Sequence, residues 1–461
     1  MKTYDAIVIG AGQAGGPLAK KLASAGKKTV LIEKRFYGGT CVNDGCTPTK
    51  TMVASAKAAY MAAKSADLGV AVEGFSVNMP QIKKRKDEIV LKSRNGGLRA
   101  AEKTPNLEVL FGEATFTSDK TVEVNLNDGG KETLQADLIF LNPGALPTIP
   151  DIEGLHDIKY LDSTTILDLD YVPDHLLVLG GNYIGLEFGQ MFRRFGSKVT
   201  ILEKSPRIVG HEDEDIAAEM QTILEAESII IHTNAQATKF RKKDNGKIAA
   251  TVIVDGQEQE INCSHVLVAI GRTPQTAALN LQKAGIKTDD HGYIQVSDKL
   301  ETTTTGIYAL GDAKGGPAFT HISYNDYTIV YRNLIENKNL NIYDRPVPYC
   351  MFTDPQLGRI GISETEAKAQ NLNYKVAKLP MAHVARAIET GDTRGFMKAI
   401  VDAKTKEILG VAVLGPEGGE IMTVLQMAME GGITYDRIRY CVFAHPLYSE
   451  SLNNLFMTLE D

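Results

Sequence analysis

Cysteine is scarce in this chain, with five in 461 residues. That is too few for the disulfide framework of a secreted protein. It fits a cytoplasmic setting, where a close thiol pair is more often catalytic than structural. Long apolar runs are also missing: no stretch approaches the ~20 uninterrupted apolar residues of a membrane-spanning helix. The opening MKTYDAIVIGAG has a short apolar run that leads straight into glycines, which is not a secretory layout. Surplus positive charge is lacking, since 50 Lys and Arg stand against 57 Asp and Glu, a net charge of −7. Nucleic acid and anionic membrane are therefore not expected as main partners. No cluster of His, Cys, Asp or Glu has metal-ligand spacing, so no resident metal is expected. What remains is an ordinary globular composition, 43% hydrophobic and 23% charged, in a chain too long for one core.

The thiols are not evenly spread. Cys41 and Cys46 stand five positions apart in Gly38-Gly39-Thr40-Cys41-Val42-Asn43-Asp44-Gly45-Cys46-Thr47-Pro48-Thr49-Lys50. On a regular helix that spacing points the side chains to different faces, so a disulfide needs a backbone break. Gly45 supplies the freedom for one. Pro48 suits the first turn of a helix, and a thiol near a helix N-terminus has its thiolate favoured, which makes Cys46 the reactive candidate. Lys50, four residues on, adds positive charge on the same face. On these residues alone, two structural thiols or half a zinc site stay open.

Tyr4–Ile9 reads as a buried strand running into Gly10-Ala11-Gly12-Gln13-Ala14-Gly15, then a helix through Leu18 and Leu22, then the strand Thr29–Ile32 closed by Glu33. This is the dinucleotide-binding fingerprint in its full setting: strand, glycine turn, helix, strand, and an acid that accepts from ribose hydroxyls. The pattern restarts at Leu176–Leu179, with the turn Gly180-Gly181-Asn182-Tyr183-Ile184-Gly185 and the strand Val199–Leu202 closed by Glu203. Asn182 replaces the second glycine, and asparagine tolerates left-handed backbone better than other residues, so the turn is expected to survive. A carboxylate at 203 favours NADH over NADPH, with Lys204 and Arg207 close enough to soften the preference.

Helices are expected from about Thr51 to Ala66 and from about Met79 to Lys103, and the run Lys83-Lys84-Arg85-Lys86 is read as a solvated helix face. Short strands are expected around 107–116, 121–126 and 133–141, with a domain boundary near Pro147, Pro150 and Gly154. His265–Ile270 is a further strand, and Gly306–Asp312 repeats the strand-to-glycine form. A helix is expected from Thr320 and His321. From about 340 the chain becomes mixed α+β. Cys263, Cys350 and Cys441 read as buried apolar residues, and His175 falls among histidines expected in surface or turn positions.

Two dinucleotide folds around Gly39-Thr40-Cys41-x4-Cys46-x-Pro48-Thr49-Lys50, with Gly311-Asp312 and the late His445-Pro446…Glu450, closely resemble one family. It is the class I FAD-dependent pyridine nucleotide–disulfide oxidoreductases. The segments Phe319–Tyr327, Phe195–Glu203 and Ser449–Phe456 resemble its mercuric-reductase-like branch, which includes the reactive-chlorine-resistance (copper) reductase. The resemblance implies an α/β protein with two Rossmann-like dinucleotide-binding domains plus a C-terminal α+β dimerisation domain. Its implied divisions are 1–148 and 272–339 for FAD, 149–271 for NAD(P), and 340–461 for the subunit interface. The implied cofactors are FAD and NADH, with NADPH admissible.

By the same resemblance, Gly10, Gly12, Gly15 and Glu33 hold the ADP part of FAD, Asp312 faces the ribityl–pyrophosphate region, and Thr320–His321 face the flavin pyrimidine edge. Cys46 is implied as the charge-transfer thiol against the flavin and Cys41 as the outer, interchange thiol. Lys50 sits near flavin N5 and pairs with Glu187, and Tyr183 covers the nicotinamide side. The implied cofactor-binding set also takes in Gln13, Ala14, Lys34, Gly39, Thr40, Ala114, Gly144, Gly180, Ile184, Glu203 and Gly271. His445 and Glu450 match the acid–base pair that reaches Cys41 of the other subunit, which implies a homodimer. Position 447 is Leu where the family usually has Thr.

The acceptor is the open question. The chain ends Met457-Thr458-Leu459-Glu460-Asp461, where a mercuric reductase usually carries a cysteine pair, so efficient Hg(II) handling is not expected. Asp44 adds negative charge near the disulfide, which would favour a cationic or oxidant acceptor over an anionic disulfide. Three readings follow: a metal-ion or oxidative-stress reductase, a dihydrolipoamide dehydrogenase docked in a larger complex, and a slow-turnover flavoprotein redox sensor.

Overall fold

The computed structural model describes residues 1–459. The chain forms two compact units. One is built from 1–51, 83–148 and 271–345, the other from 52–82, 149–270 and, of the described residues, 346–459.

In the first unit, short β-branched runs buried on both faces make a parallel sheet. Thr29–Glu33 is buried at every position. Its neighbours are Lys2–Ile9 on one side and Leu107–Ser118 on the other, and Lys131–Leu141 and Ile307–Ala309 follow beyond Lys2–Ile9. Thr121–Leu126 pairs antiparallel with both Leu107–Ser118 and Lys131–Leu141. The helix Gly15–Ser24 turns Leu18, Ala19, Leu22 and Ala23 inward. Leu18 and Leu22 are fully buried among Val8, Leu31, Phe140 and Leu310. Each leucine buried this way contributes about 1.5–3 kcal/mol. The strand order reverses between Lys2–Ile9 and Lys131–Leu141, and ligands of such sheets bind in the crevice at that switch point.

The second unit repeats the order. His175–Leu179 is flanked by Lys198–Leu202 and then Ile229–His232 on one side and by His265–Val268 on the other, all parallel. A three-stranded antiparallel sheet, Ala235–Lys242, Ile248–Val254 and Gln257–Cys263, accompanies it. The last stretch is a five-stranded antiparallel sheet in the order 349–351, 356–361, 408–415, 396–402, 374–380. Gly418–Glu430, Tyr435–Arg439 and Leu452–Met457 are helices that share its core through Ile421, Leu425, Ile438, Leu455 and Phe456. Lys398 is buried in this unit at 2% exposure, with its ammonium 3.1 Å from Asp213, 3.0 Å from Asp215 and 2.7 Å from Glu364. Burial works against ionisation of Asp213. The amides and hydroxyl of Thr365 and Glu364, with Lys398, outweigh it and hold the carboxyl at about 2.

Several expectations are corrected. The helix after the thiols starts at Cys46, not Thr51, and runs to Lys64, because Pro48 needs no N–H acceptor in a first turn. Gly45 has no left-handed backbone; a Cβ there would lie 2.9 Å from the Thr40 carbonyl oxygen, so the requirement is for space. The strand at His265 ends at Val268. The basic run is not simply solvated: Lys83 pairs with Asp87 at 2.7 Å, and Lys86 is buried beside the same carboxylate. Of the three remaining cysteines only Cys263 is buried, and burial pushes its thiol up to about 12. Cys441 is exposed and Cys350, in the strand 349–351, is half-buried. His175 is not a turn residue; both ring nitrogens are bonded, to Asn262 O and Thr200 Oγ1 at 2.9 Å each, and burial lowers its pKa.

Candidate active site

The stretch around the thiols folds as two helices with a break between them. Gly39–Asn43 is a short helix entered from Gly38 in the left-handed region, and it ends as the Asp44 amide donates to Thr40 O at 2.8 Å. The next helix begins at Cys46, which places that sulfur at a helix N-terminus. Neither thiol is in a disulfide; Cys41 is half-buried and Cys46 exposed. They hydrogen-bond to one another, and that bond together with burial pushes the Cys41 thiol up. Cys46 Sγ lies 3.3 Å from Thr320 Oγ1, at the first residue of the helix Thr320–Ile335. The thiol pair thus faces the N-terminus of a second helix, where Phe319 and His321 stack with ring centroids 5.5 Å apart. Such a terminus stabilises negative charge. Lys50 follows one turn after Cys46, half-buried.

At the first glycine turn, Glu33 accepts from the Ala11 amide at 2.8 Å and from the Arg35 amide at 2.8 Å. Gly10 has φ +97°, and a Cβ there would lie 2.1 Å from the Asn142 carbonyl oxygen. A Cβ on Gly12 would lie 2.9 Å from Asn142 Oδ1. Asn142 is the hub: Oδ1 accepts from the Gly15 amide at 3.0 Å, and Nδ2 donates to Leu310 O at 3.0 Å. The sequence reading treated Asn142 only as part of a chain breaker. Its place at the carboxyl end of an apolar strand beside a switch point was the signal available. Gln13 donates to Gly38 O at 3.1 Å, tying the glycine turn to the thiol segment.

Asp312 follows Gly311, whose amide donates to the buried Asp326 at 2.8 Å. Burial raises the Asp312 carboxyl, opposed by Arg272, whose Nε is 3.7 Å away. Arg272 Nε and Gln275 Oε1 are buried without a hydrogen-bond partner. Gly144 has φ +74°, near the Gln275 amide, and Gly271 precedes the strand Arg272–Pro274 that pairs with Ala145–Pro147. Ala114 is buried in Leu107–Ser118, Lys34 is exposed beyond Glu33, and Thr40 is half-buried. A glycine turn whose Cβ positions are closed by Asn142, and an orphaned Arg272 Nε beside the half-buried Asp312, fit a polar dinucleotide such as FAD.

The second turn keeps the plan. Glu203 accepts from the Gly181 amide at 2.7 Å and from the Ser205 amide at 2.7 Å. Gly180 has φ +109°, and a Cβ there would lie 2.4 Å from Ala269 O. Asn182 is not left-handed. It is extended, at φ −102° and ψ −178°, and its side chain caps the helix by accepting from the Tyr183 amide at 2.8 Å. Tyr183 and Ile184 are half-buried against the core of this unit. Glu187, at 4% exposure, takes the Phe352 amide at 2.8 Å.

Near the C-terminus, His445 Nδ1 lies 2.9 Å from Glu450, with the imidazole largely exposed. The carboxylate holds one ring nitrogen and so fixes the orientation of the imidazole. The acceptor argument built on Asp44 is weakened, because its carboxylate is ion-paired with Arg35. Among the described residues, no group of three or more His, Cys, Asp and Glu could hold a metal, and no helix is long and apolar enough to cross a membrane. Glu460 and Asp461, part of the terminus compared above with mercuric reductases, lie outside the described residues.

With two dinucleotide turns and a thiol pair at a helix N-terminus in place, the chain belongs to the pyridine nucleotide-disulphide oxidoreductases, whose family model matches residues 4–326. The family's dimerisation domain matches 347–456. It is an FAD-dependent NAD(P)H disulfide oxidoreductase. Among its relatives, the probable pyridine nucleotide-disulfide oxidoreductase RclA of Escherichia coli is 38% identical over 99% of both chains. The mercuric reductase of Streptomyces lividans is 33% identical over 94% of this chain and 92% of its own. A dihydrolipoyl dehydrogenase of Thermus scotoductus is 34% identical over 98% and 96%. The solved Cu(II) complex of the HOCl-induced flavoprotein disulfide reductase RclA from Escherichia coli superposes with a TM-score of 0.91 at 37% identity, covering all of both chains.

Proposed function

We propose that this enzyme reduces a metal ion or an oxidant, using NADH as donor and Cys41–Cys46 as the last carrier. FAD, which Gly10, Gly12, Glu33, Asp312 and Thr320 would hold, would supply the two-electron relay between the nicotinamide and the disulfide. The observation that carries the reading is the thiol pair, hydrogen-bonded internally and set against Thr320 at a helix N-terminus. With NADH and one proton, the S–S bond becomes two thiols. The two thiols then reduce two Cu(II) to Cu(I), lose two protons and close the disulfide again.

By the family resemblance Cys41 is the thiol offered to the acceptor and Cys46 the one that faces the flavin; Cys46 is the more exposed of the two in the protein alone, on the side that FAD would cover. The partner subunit's His445, oriented by Glu450, takes and returns the Cys41 proton, so the working unit is a homodimer in the cytoplasm. Residues 1–148 and 272–339 serve FAD, 149–271 serve NADH, and 340–461 form the interface. Gly10, Gly12, Glu33, Asp312 and Thr320 hold the flavin nucleotide; Gly180, Tyr183 and Glu203 hold the nicotinamide nucleotide. Glu203 supports NADH over NADPH, since its charge would repel a 2′-phosphate, and Arg207 is engaged with Gly210 O at 3.3 Å.

An acceptor screen with NADH oxidation as readout tests this. Cu(II) is expected to turn over faster than lipoamide or glutathione disulfide, and Cys41→Ser is expected to abolish it. A higher rate for dihydrolipoamide with NAD would instead make the chain a dihydrolipoamide dehydrogenase. Low turnover with every acceptor, alongside a stable protein complex, would make it a redox sensor.

A further inference from the structure

Val42, Asn43, Asp44 and Gly45 link the two thiols, and the central two are gripped from outside. Asn43 is buried; Nδ2 donates to Tyr37 O at 3.1 Å and Gly39 O at 2.8 Å, and Oδ1 accepts from Arg94 Nε at 2.6 Å. Asp44 is ion-paired with Arg35. Both guanidiniums share one aromatic ring: Arg94 lies 3.9 Å and Arg35 5.4 Å from the Phe36 centroid. Phe36 itself remains 42% exposed, so core burial does not account for its position, whereas stacking under two cations does. The ring and the two arginines form a bracket around the chain segment that links the two sulfurs.

Charge matters as much as shape. Opening the disulfide places negative charge on sulfur, and a bare carboxylate at 44, two residues from Cys46, would disfavour it. Arg35 removes that penalty.

We propose that Arg35 and Arg94 are positioning residues for the thiol pair, Arg94 setting the Cys41 end through Asn43 and Arg35 neutralising Asp44 beside the Cys46 end. This rests on the reading of Cys41–Cys46 as a redox couple, in which two electrons and two protons convert the disulfide to two thiols.

The test uses the flavin-loaded enzyme. The thiol–disulfide balance is measured in glutathione buffers by alkylation and mass, and the alkylation rate of the reduced enzyme is followed against pH. Arg35→Ala is expected to move the alkylation profile up by about one pH unit, the order expected from one nearby charge. Asp44→Asn in that background should restore the wild-type profile, whereas Asp44→Asn alone should shift it down, because Arg35 is then left as an uncompensated cation. Arg94→Ala should change the thiol–disulfide balance by about tenfold, with Arg94→Lys intermediate, since lysine keeps the charge but not the planar fork. Failure of Asp44→Asn to rescue Arg35→Ala, or an Arg94→Ala balance within twofold of wild type, would overturn the proposal and leave the bracket as packing. A wild-type enzyme that never closes the disulfide in oxidising buffer would sink the redox reading itself, a result distinct from unchanged variants.

Discussion

At the first glycine turn a side chain from a neighbouring strand does the anchoring, and at the second it does not. Asn142 reaches the Gly15 amide and stands 2.9 Å from where a Gly12 Cβ would be. The equivalent strand end in the second unit is Ala269, whose amide donates to Leu179 O as that of Asn142 donates to Ile9 O. Alanine has nothing to reach with, so residue 182 can carry a side chain, and Asn182 uses it to cap its own helix. The second fingerprint glycine is thus set by its neighbour across the switch point and not by backbone conformation. By contrast the first glycine is fixed in both turns by left-handed φ and a carbonyl in close contact.

The largest effects should come from that first glycine. Gly10→Ala and Gly180→Ala each incur about 1–2 kcal/mol for left-handed backbone, plus about 1–3 kcal/mol of overpacking against a carbonyl. Gly10→Ala is expected to purify without flavin colour, and Gly180→Ala to keep flavin but lose nucleotide binding. Absorbance and fluorescence quenching distinguish them, and identical losses in both variants would break the comparison. Next comes Asn142→Ala, which leaves the buried Gly15 amide unpaired, at a cost of about 1–3 kcal/mol in urea unfolding. Gly12→Asn should be damaging alone and tolerated together with Asn142→Ala, which is the sharpest test of the idea that one residue dictates the other. Asn182→Ala should cost about 0.5–1 kcal/mol, the low end for a lost cap.

The reading of the two fingerprints was legible because glycine spacing and a closing acid are local. Strand, turn and helix at Tyr4–Leu22 and Leu176–Gly185 stand where the pattern put them. Asn142 was not legible, because its role depends on a strand more than a hundred residues from Gly15 being its neighbour. Asn182 was judged by an average property of asparagine, when the deciding fact was what sits opposite. Likewise the charge of Asp44 was visible, but its pairing with Arg35 required the fold. Cys441 was misplaced because apolar neighbours in sequence were taken for apolar neighbours in space.

One further effect is confined to acid and to the second unit. Asp213 is held at about 2 when folded, against about 3.9 in an unfolded chain. The unfolded state therefore takes up the proton first as pH falls. The stabilisation is complete above about pH 4 and is lost as pH falls through about 2. Asp213→Asn should flatten the acid limb of thermal stability in that window, and an unchanged slope would show that other carboxylates dominate.

The sheet of the first unit needs Ile307–Ala309 for its last parallel strand, whereas the four parallel strands of the second dinucleotide fold all lie between 175 and 268. As the chain leaves the ribosome, the inserted fold has all its strands before the fold that surrounds it does. The N-terminal strands, Cys41 and Cys46 among their connections, must wait for a stretch made much later. Truncation between residues 268 and 309 would therefore leave that half unable to close, while sparing the part nested inside it.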